Sequence, residues 1–152
     1  MKDVVNHPSH YESNSVKIEP IDITAVLPHP IASAFEYCIR AGKKENVPEL
    51  QDLEKARFWV NYFYNHVETW CIGGRRLPEL DAGDLSIITK FGESFEFARV
   101  IAERYRLIYP PSDGTLARVW EDIAEHLLTY IDKSIAVTES IAIEMEKEDE
   151  GN

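Results

Sequence analysis

The chain has 152 residues, 27 of them acidic and 16 basic, for a net charge of −11. That length suits one domain with a real core, and the negative balance argues against a binder of long DNA or RNA, whose phosphates such a surface repels. A small nucleotide in a local basic pocket stays possible, whereas no apolar run nears the ~20 residues needed to cross a bilayer.

Residues 1–18 are polar and broken by Asn6, Pro8, Ser9 and Ser13, which predicts an irregular N-terminal arm. Its start has no apolar signal segment, and Cys38 and Cys71 form no CxxC pair, so a cytoplasmic protein with free thiols is expected. A short helix is expected over residues 21–27, with Pro20 in its first turn and Pro28 and Pro30 interrupting after it. The next helix is expected over 31–41, stopped by Gly42. Asn46, Val47 and Pro48 make a turn into a longer helix over 48–70. Its apolar stripe, Leu53, Ala56, Val60, Phe63, Val67 and Trp70, holds a heptad spacing, and Phe58, Trp59 and Tyr62 predict packing on a second side.

Gly73-Gly74-Arg75-Arg76 with Pro78 reads as a loop. A helix over 81–91 with Asp81 or Asp84 as cap is followed by one over 94–108, whose expected core face is Phe97, Val100, Ile101, the Arg104 stem and Leu107. After the break at Tyr109-Pro110-Pro111, a last helix starts at Thr115 and runs past Ile141, with Leu116, Val119, Ile123, Leu127, Tyr130 and Ser134 along one stripe. The fold class is therefore all-α: a bundle of about four main helices behind the arm, one domain over 1–147, with residues 148–152 as a frayed acidic tail. Within that domain, 19–70 carries the motifs and 80–146 the C-terminal helices.

Two clusters carry chemistry. Asn6, His7, His10 and Tyr11 supply hydrogen bonds, stacking faces and proton carriers near neutral pH. The same residues also suit a turn that pins the N-terminus to the bundle. Two histidines without a third ligand make a poor zinc site, so no metal site is assigned. The second cluster is Arg40, Lys43 and Lys44, with Lys55 and Arg57 early in the following helix. If those helices pair antiparallel, their charges converge on one phosphate. Basic residues at a helix C-terminus also simply complement its dipole.

Walker A, GxSxG and HExxH patterns are absent from the sequence. Glu93 with Glu96, and Asp122 with Glu125, are spaced i, i+3 on two expected helices, a pattern that holds magnesium in all-α nucleotide pyrophosphatases. Gly73-Gly74-Arg75-Arg76 is a candidate phosphate clamp as well as a plain loop.

Asn6-His7-Pro8-Ser9-His10-Tyr11, Ile18-Glu19-Pro20-Ile21-Asp22, Ala34-Phe35-Glu36-Tyr37, Arg40-Ala41-Gly42-Lys43-Lys44 and Asp52-Leu53-Glu54-Lys55-Ala56, in this order, resemble a family of small bacteriophage nucleotide kinase-like proteins that lacks a Walker A loop. The resemblance covers about residues 4–68. It implies phosphorylation of deoxynucleoside monophosphates, with ATP or another nucleotide as phosphoryl donor, Mg2+ as an open requirement, and the host cell cytoplasm as location. It carries over Asn6, His7, Pro8, His10, Tyr11, Tyr37, Arg40, Gly42, Lys43, Lys44 and Lys55. Phosphoryl transfer asks mainly for positioning and charge neutralisation. Arg40, Lys43 and Lys55 would neutralise phosphate oxygens, with Lys44 beside them. His7 or His10 would orient or deprotonate the acceptor, and Tyr11 or Tyr37 would stack on a base. Glu36 stands where the family usually has lysine, and Ser33 where it often has asparagine. That departure motivates a second expectation, a non-catalytic protein that sequesters a nucleotide. A magnesium-dependent pyrophosphatase is the third. A homo-oligomer built on the heptad stripe and the last helix is expected as well.

Overall fold

The computed structural model describes residues 17–43, 45–70 and 75–151, and its regular elements are six α-helices with no strand among the described residues. The all-α expectation holds. Helix α1 (Pro20–Thr24) opens with proline at its first position, where a missing N–H is harmless, and the Glu19 amide donates to the Asp22 carboxylate at 2.8 Å. Helix α2 spans His29–Arg40. It therefore begins two residues before the expected Ile31, because Pro30 falls in the first turn, where proline is tolerated. Gly42 follows at φ +77, a left-handed conformation suited to glycine, and Asn46 at φ +68 completes the reversal.

Helix α3 (Glu49–Trp70) buries its whole predicted stripe, Leu53, Ala56, Val60, Phe63, Val67 and Trp70. This stripe is spent inside the chain's own core, so it cannot be the intersubunit seam the sequence suggested. Helix α3 packs against both α2 and α6, but of the three residues expected to widen its apolar surface Phe58 is 63% exposed, Tyr62 lies outward and only Trp59 is half-buried.

The extended link 75–81 is pinned twice: Trp120 Nε1 donates to the Pro78 carbonyl at 2.8 Å, and the Leu80 amide donates to the Tyr105 hydroxyl at 2.8 Å. Helix α4 (Ala82–Gly92) starts on a capping box, with the Asp84 amide donating to the Asp81 carboxylate at 2.8 Å and the Asp81 amide to Asp84 at 3.1 Å. Helix α5 (Glu96–Ile108) buries Phe97, Ala98, Ile101, Ala102 and Tyr105. Its core face is rotated from the expected one: Val100 is half-buried and Leu107 is 70% exposed. Tyr105 wins the inward position because it carries the partner that the Leu80 amide needs.

Helix α6 (Leu116–Glu150) buries Val119, Trp120, Ile123, Ala124, Leu127 and Ile131. The residues expected to fray are the exposed end of this helix, which stays regular to Glu150.

Helices α2 and α3 form an antiparallel hairpin, α6 runs antiparallel along α3, and α5 packs between α4 and α6. Phe35 of α2 sits at the centre, its ring 5.0–5.6 Å from those of Phe91, Phe95 and Phe97. That cluster locks the hairpin onto the α4–α5 turn and sets the far wall of the site described next.

Candidate functional site

The sharp turn after Gly42 brings the end of α2 against the start of α3, as the antiparallel expectation required. Arg40 Nη2 meets Asp52 Oδ1 at 3.4 Å, and Asp52 is fully buried while the arginine is about one-third exposed. Among the described residues, the other Asp52 oxygen and the Arg40 Nε are buried without a hydrogen-bond partner. One turn back along α2, the Tyr37 ring has two cations near it, with the Arg40 guanidinium carbon 4.5 Å and Lys55 Nζ 5.6 Å from its centroid. Arg40 and Lys55, drawn from different helices, thus converge on one aromatic ring.

Arg40 and Lys43 also line a cleft of about 490 Å³ whose other walls are Ile18, Pro20 and Ile39 on one side and Phe91, Ser94 and Phe95 on the other. The cleft therefore has a cationic edge and an aromatic wall, with room for a ligand of mononucleotide size. Cys38, on the buried side of α2, is not part of this chemistry. Burial, and secondarily the charge of Asp52, push its thiol up to about 12, so it stays protonated and unreactive at neutral pH.

Arg40, Tyr37 and Lys55 come together, and Lys43 shares only the cleft lining with Arg40. Arg57 does not join them: it pairs with Asp132 of α6 at 2.7 Å and ties α3 to α6. Asn6, His7, Pro8, His10, Tyr11 and Lys44 lie outside the described residues, as do Gly73 and Gly74 of the loop motif. Ser33 is half-buried and Glu36 exposed. The magnesium expectation fares worse. Glu93 pairs with Lys90 and Glu96 with Arg99, while Asp122 holds Arg104 through two bonds of 2.8 and 3.0 Å. No three His, Cys, Asp or Glu side chains form a metal-holding group among the described residues.

Phe91 and Phe95 were not expected at the site, and Asp52, although it stands in the Asp52-Leu53-Glu54-Lys55-Ala56 motif, was given no role there. A signal for Asp52 was available: it stands four residues before Ala56 and eight before Val60, on the buried face of α3, where an acid needs a partner. Phe91 and Phe95 had none, since their role depends on how the α4–α5 turn docks on α2.

A family model described as a protein of unknown function (DUF3310) matches residues 5–61, which take in α1, α2 and the first half of α3. No curated protein and no solved structure matches the chain. No helix among the described residues is long and apolar enough to cross a membrane.

Proposed function

We propose that the chain binds a nucleotide at the α2–α3 hairpin tip and acts as a phage-type (deoxy)nucleoside monophosphate kinase. The observation that carries this reading is a cleft edged by Arg40 and Lys43 and walled by Phe91 and Phe95, whose Arg40 also meets Lys55 over the Tyr37 ring. Cations from two helices suit phosphate oxygens, and flat apolar walls suit a base. The orphaned Nε of Arg40 gives that guanidinium a donor still to be satisfied. ATP or another nucleotide serves as donor in this reading, and the histidines of the arm, His7 and His10, act on the acceptor.

The second reading is sequestration of the nucleotide without turnover. It is favoured by the tether of Arg40 to buried Asp52, which holds the guanidinium in place and neutralises part of its charge before any ligand arrives.

Calorimetry with each deoxynucleoside monophosphate and with ATP tests the binding. Lys43→Ala and Lys55→Ala are expected to weaken it at least tenfold. Chromatography of the same mixtures then separates the two readings: diphosphate in excess of protein means a kinase, and one equivalent of unchanged ligand released on denaturation means sequestration. Nucleotide binding that neither substitution weakens, or no binding at all, removes the site.

A further inference from the structure

The opposite end of α2 holds a second cavity, of about 330 Å³. Twelve helical residues at about 1.5 Å each place it roughly 17 Å from the hairpin tip. Its floor is apolar, from Leu27, Pro28 and Trp70, and its rim carries His29, Arg75 and Arg76, all exposed.

The charge pairing of the chain makes this rim unusual. All eight arginines lie in the described residues, and five have a carboxylate within reach: Arg40, Arg57, Arg99, Arg104 and Arg118. In a chain with net charge −11, such partners are easy to find. Among the described residues, Arg106 of α5 has none, and neither do Arg75 and Arg76, which are adjacent in sequence and line one cavity. Glu79, the nearest carboxylate along the chain, accepts instead from the Tyr109 hydroxyl.

The donors are also held. The Arg75 guanidinium carbon lies over the Trp70 ring, 4.8 Å from its centroid, an attraction that draws the group to the cavity floor. His29 meets Trp59 edge-on at 5.8 Å. No side chain caps the first turn of α2, so the helix dipole adds positive potential on the same side.

We propose that this cavity is a binding site for a small phosphate monoester, separate from the nucleotide site and independent of it. Arg75 and Arg76 supply forked donors for a tetrahedral dianion, His29 adds a third direction, and the Leu27–Trp70 floor takes the organic part.

The test uses the full chain at fixed ionic strength, titrated with inorganic phosphate and with glycerol 3-phosphate, followed by calorimetry and by the Trp70 indole N–H resonance. The ester is expected to bind more tightly than inorganic phosphate and to shift that resonance. Arg75→Ala with Arg76→Ala is expected to weaken ester binding at least tenfold, whereas Lys43→Ala with Lys55→Ala leaves it unchanged. If the alanine pair folds poorly, Arg75→Lys with Arg76→Lys keeps the charge, loses the fork and is expected to weaken binding severalfold. Ester binding that survives both arginine pairs, an ester no tighter than inorganic phosphate, or no binding at millimolar concentration overturns the proposal.

Discussion

The guanidinium of Arg40, in the last turn of α2, is tied across the hairpin to the carboxylate of Asp52, in the first turn of α3, at 3.4 Å. One partner is sealed in the core and the other reaches solvent. The pair is therefore lopsided, and the two ways of breaking it have different consequences.

Removing the arginine strands a buried carboxylate. Arg40→Ala is expected to destabilise the chain by about 3–5 kcal/mol. Asp52→Asn keeps the shape and lets Arg40 turn to water, so it is expected to cost about 1–2 kcal/mol. Urea unfolding of both variants and the double mutant checks the order. Equal losses would mean that the carboxylate is not dependent on this arginine.

Close backbone approach makes a second prediction. A Cβ on Gly92 would stand 2.9 Å from both the Cα and the amide nitrogen of Arg99, where α4 turns onto α5. Backbone cannot move aside as a flexible side chain can. Gly92→Ala is expected to destabilise by about 1–3 kcal/mol, read as a lowered urea midpoint. Because Phe91 and Phe95 flank this turn and wall the cleft, the same variant is expected to weaken nucleotide binding as well.

How much of this was legible beforehand depended on whether a residue's role is local. The α3 stripe was readable because each of its residues repeats a heptad spacing, and Gly42 was readable because a helix stop favours the left-handed conformation it adopts. The α5 face was misread because Ala98 and Ala102 are too small to announce burial, and because Tyr105 turns inward for a partner, the Leu80 amide, 25 residues away. Trp120 is buried for the same kind of reason, its indole bonded to the Pro78 carbonyl. At the site, Arg40, Lys43 and Lys55 were marked by the density of positive charge in an acidic chain. The aromatic wall was not, since Phe91 and Phe95 become a wall only after Phe35 docks them on α2.

Two buried groups, Cys38 and Tyr105, and the half-buried Tyr130 make the chain sensitive to alkali. Burial pushes the Cys38 thiol up from 9.0 to about 12, and also raises the Tyr105 and Tyr130 phenols. A group whose pKa is higher in the folded state binds its proton more tightly there. Its contribution is thus complete below the unfolded pKa and is lost as pH rises towards the folded one. Stability is expected to hold to about pH 9 and fall from there to pH 12. The Cys38 share is at most roughly 4 kcal/mol, from about 1.4 kcal/mol for each pKa unit. Urea midpoints between pH 8 and 11 give the slope, and Cys38→Ala is expected to flatten it. An unchanged slope in that variant would place the alkaline loss on the tyrosines alone.

The end of α6 yields the last prediction. Arg57 and Asp132 fix the antiparallel register of α3 and α6, and α3 begins at Glu49, so α3 stops alongside about Ser140 of α6. Thr138 is the last half-buried residue, and everything from Glu139 to Gly151 is exposed. Ile141, Ile143 and Met145 in this stretch, each more than half exposed, contribute nothing to the core. Residues 139–152 carry six carboxylates and one lysine, so deleting them changes the net charge from −11 to −6 and relieves self-repulsion. Truncation before Glu139 is therefore expected to leave the unfolding free energy within about 0.5 kcal/mol of the full chain. Helical circular dichroism should fall in proportion to the residues removed. A loss of several kcal/mol would mean that the projecting helix is covered in solution, and sedimentation of the full chain against the truncated one would show whether a second copy covers it.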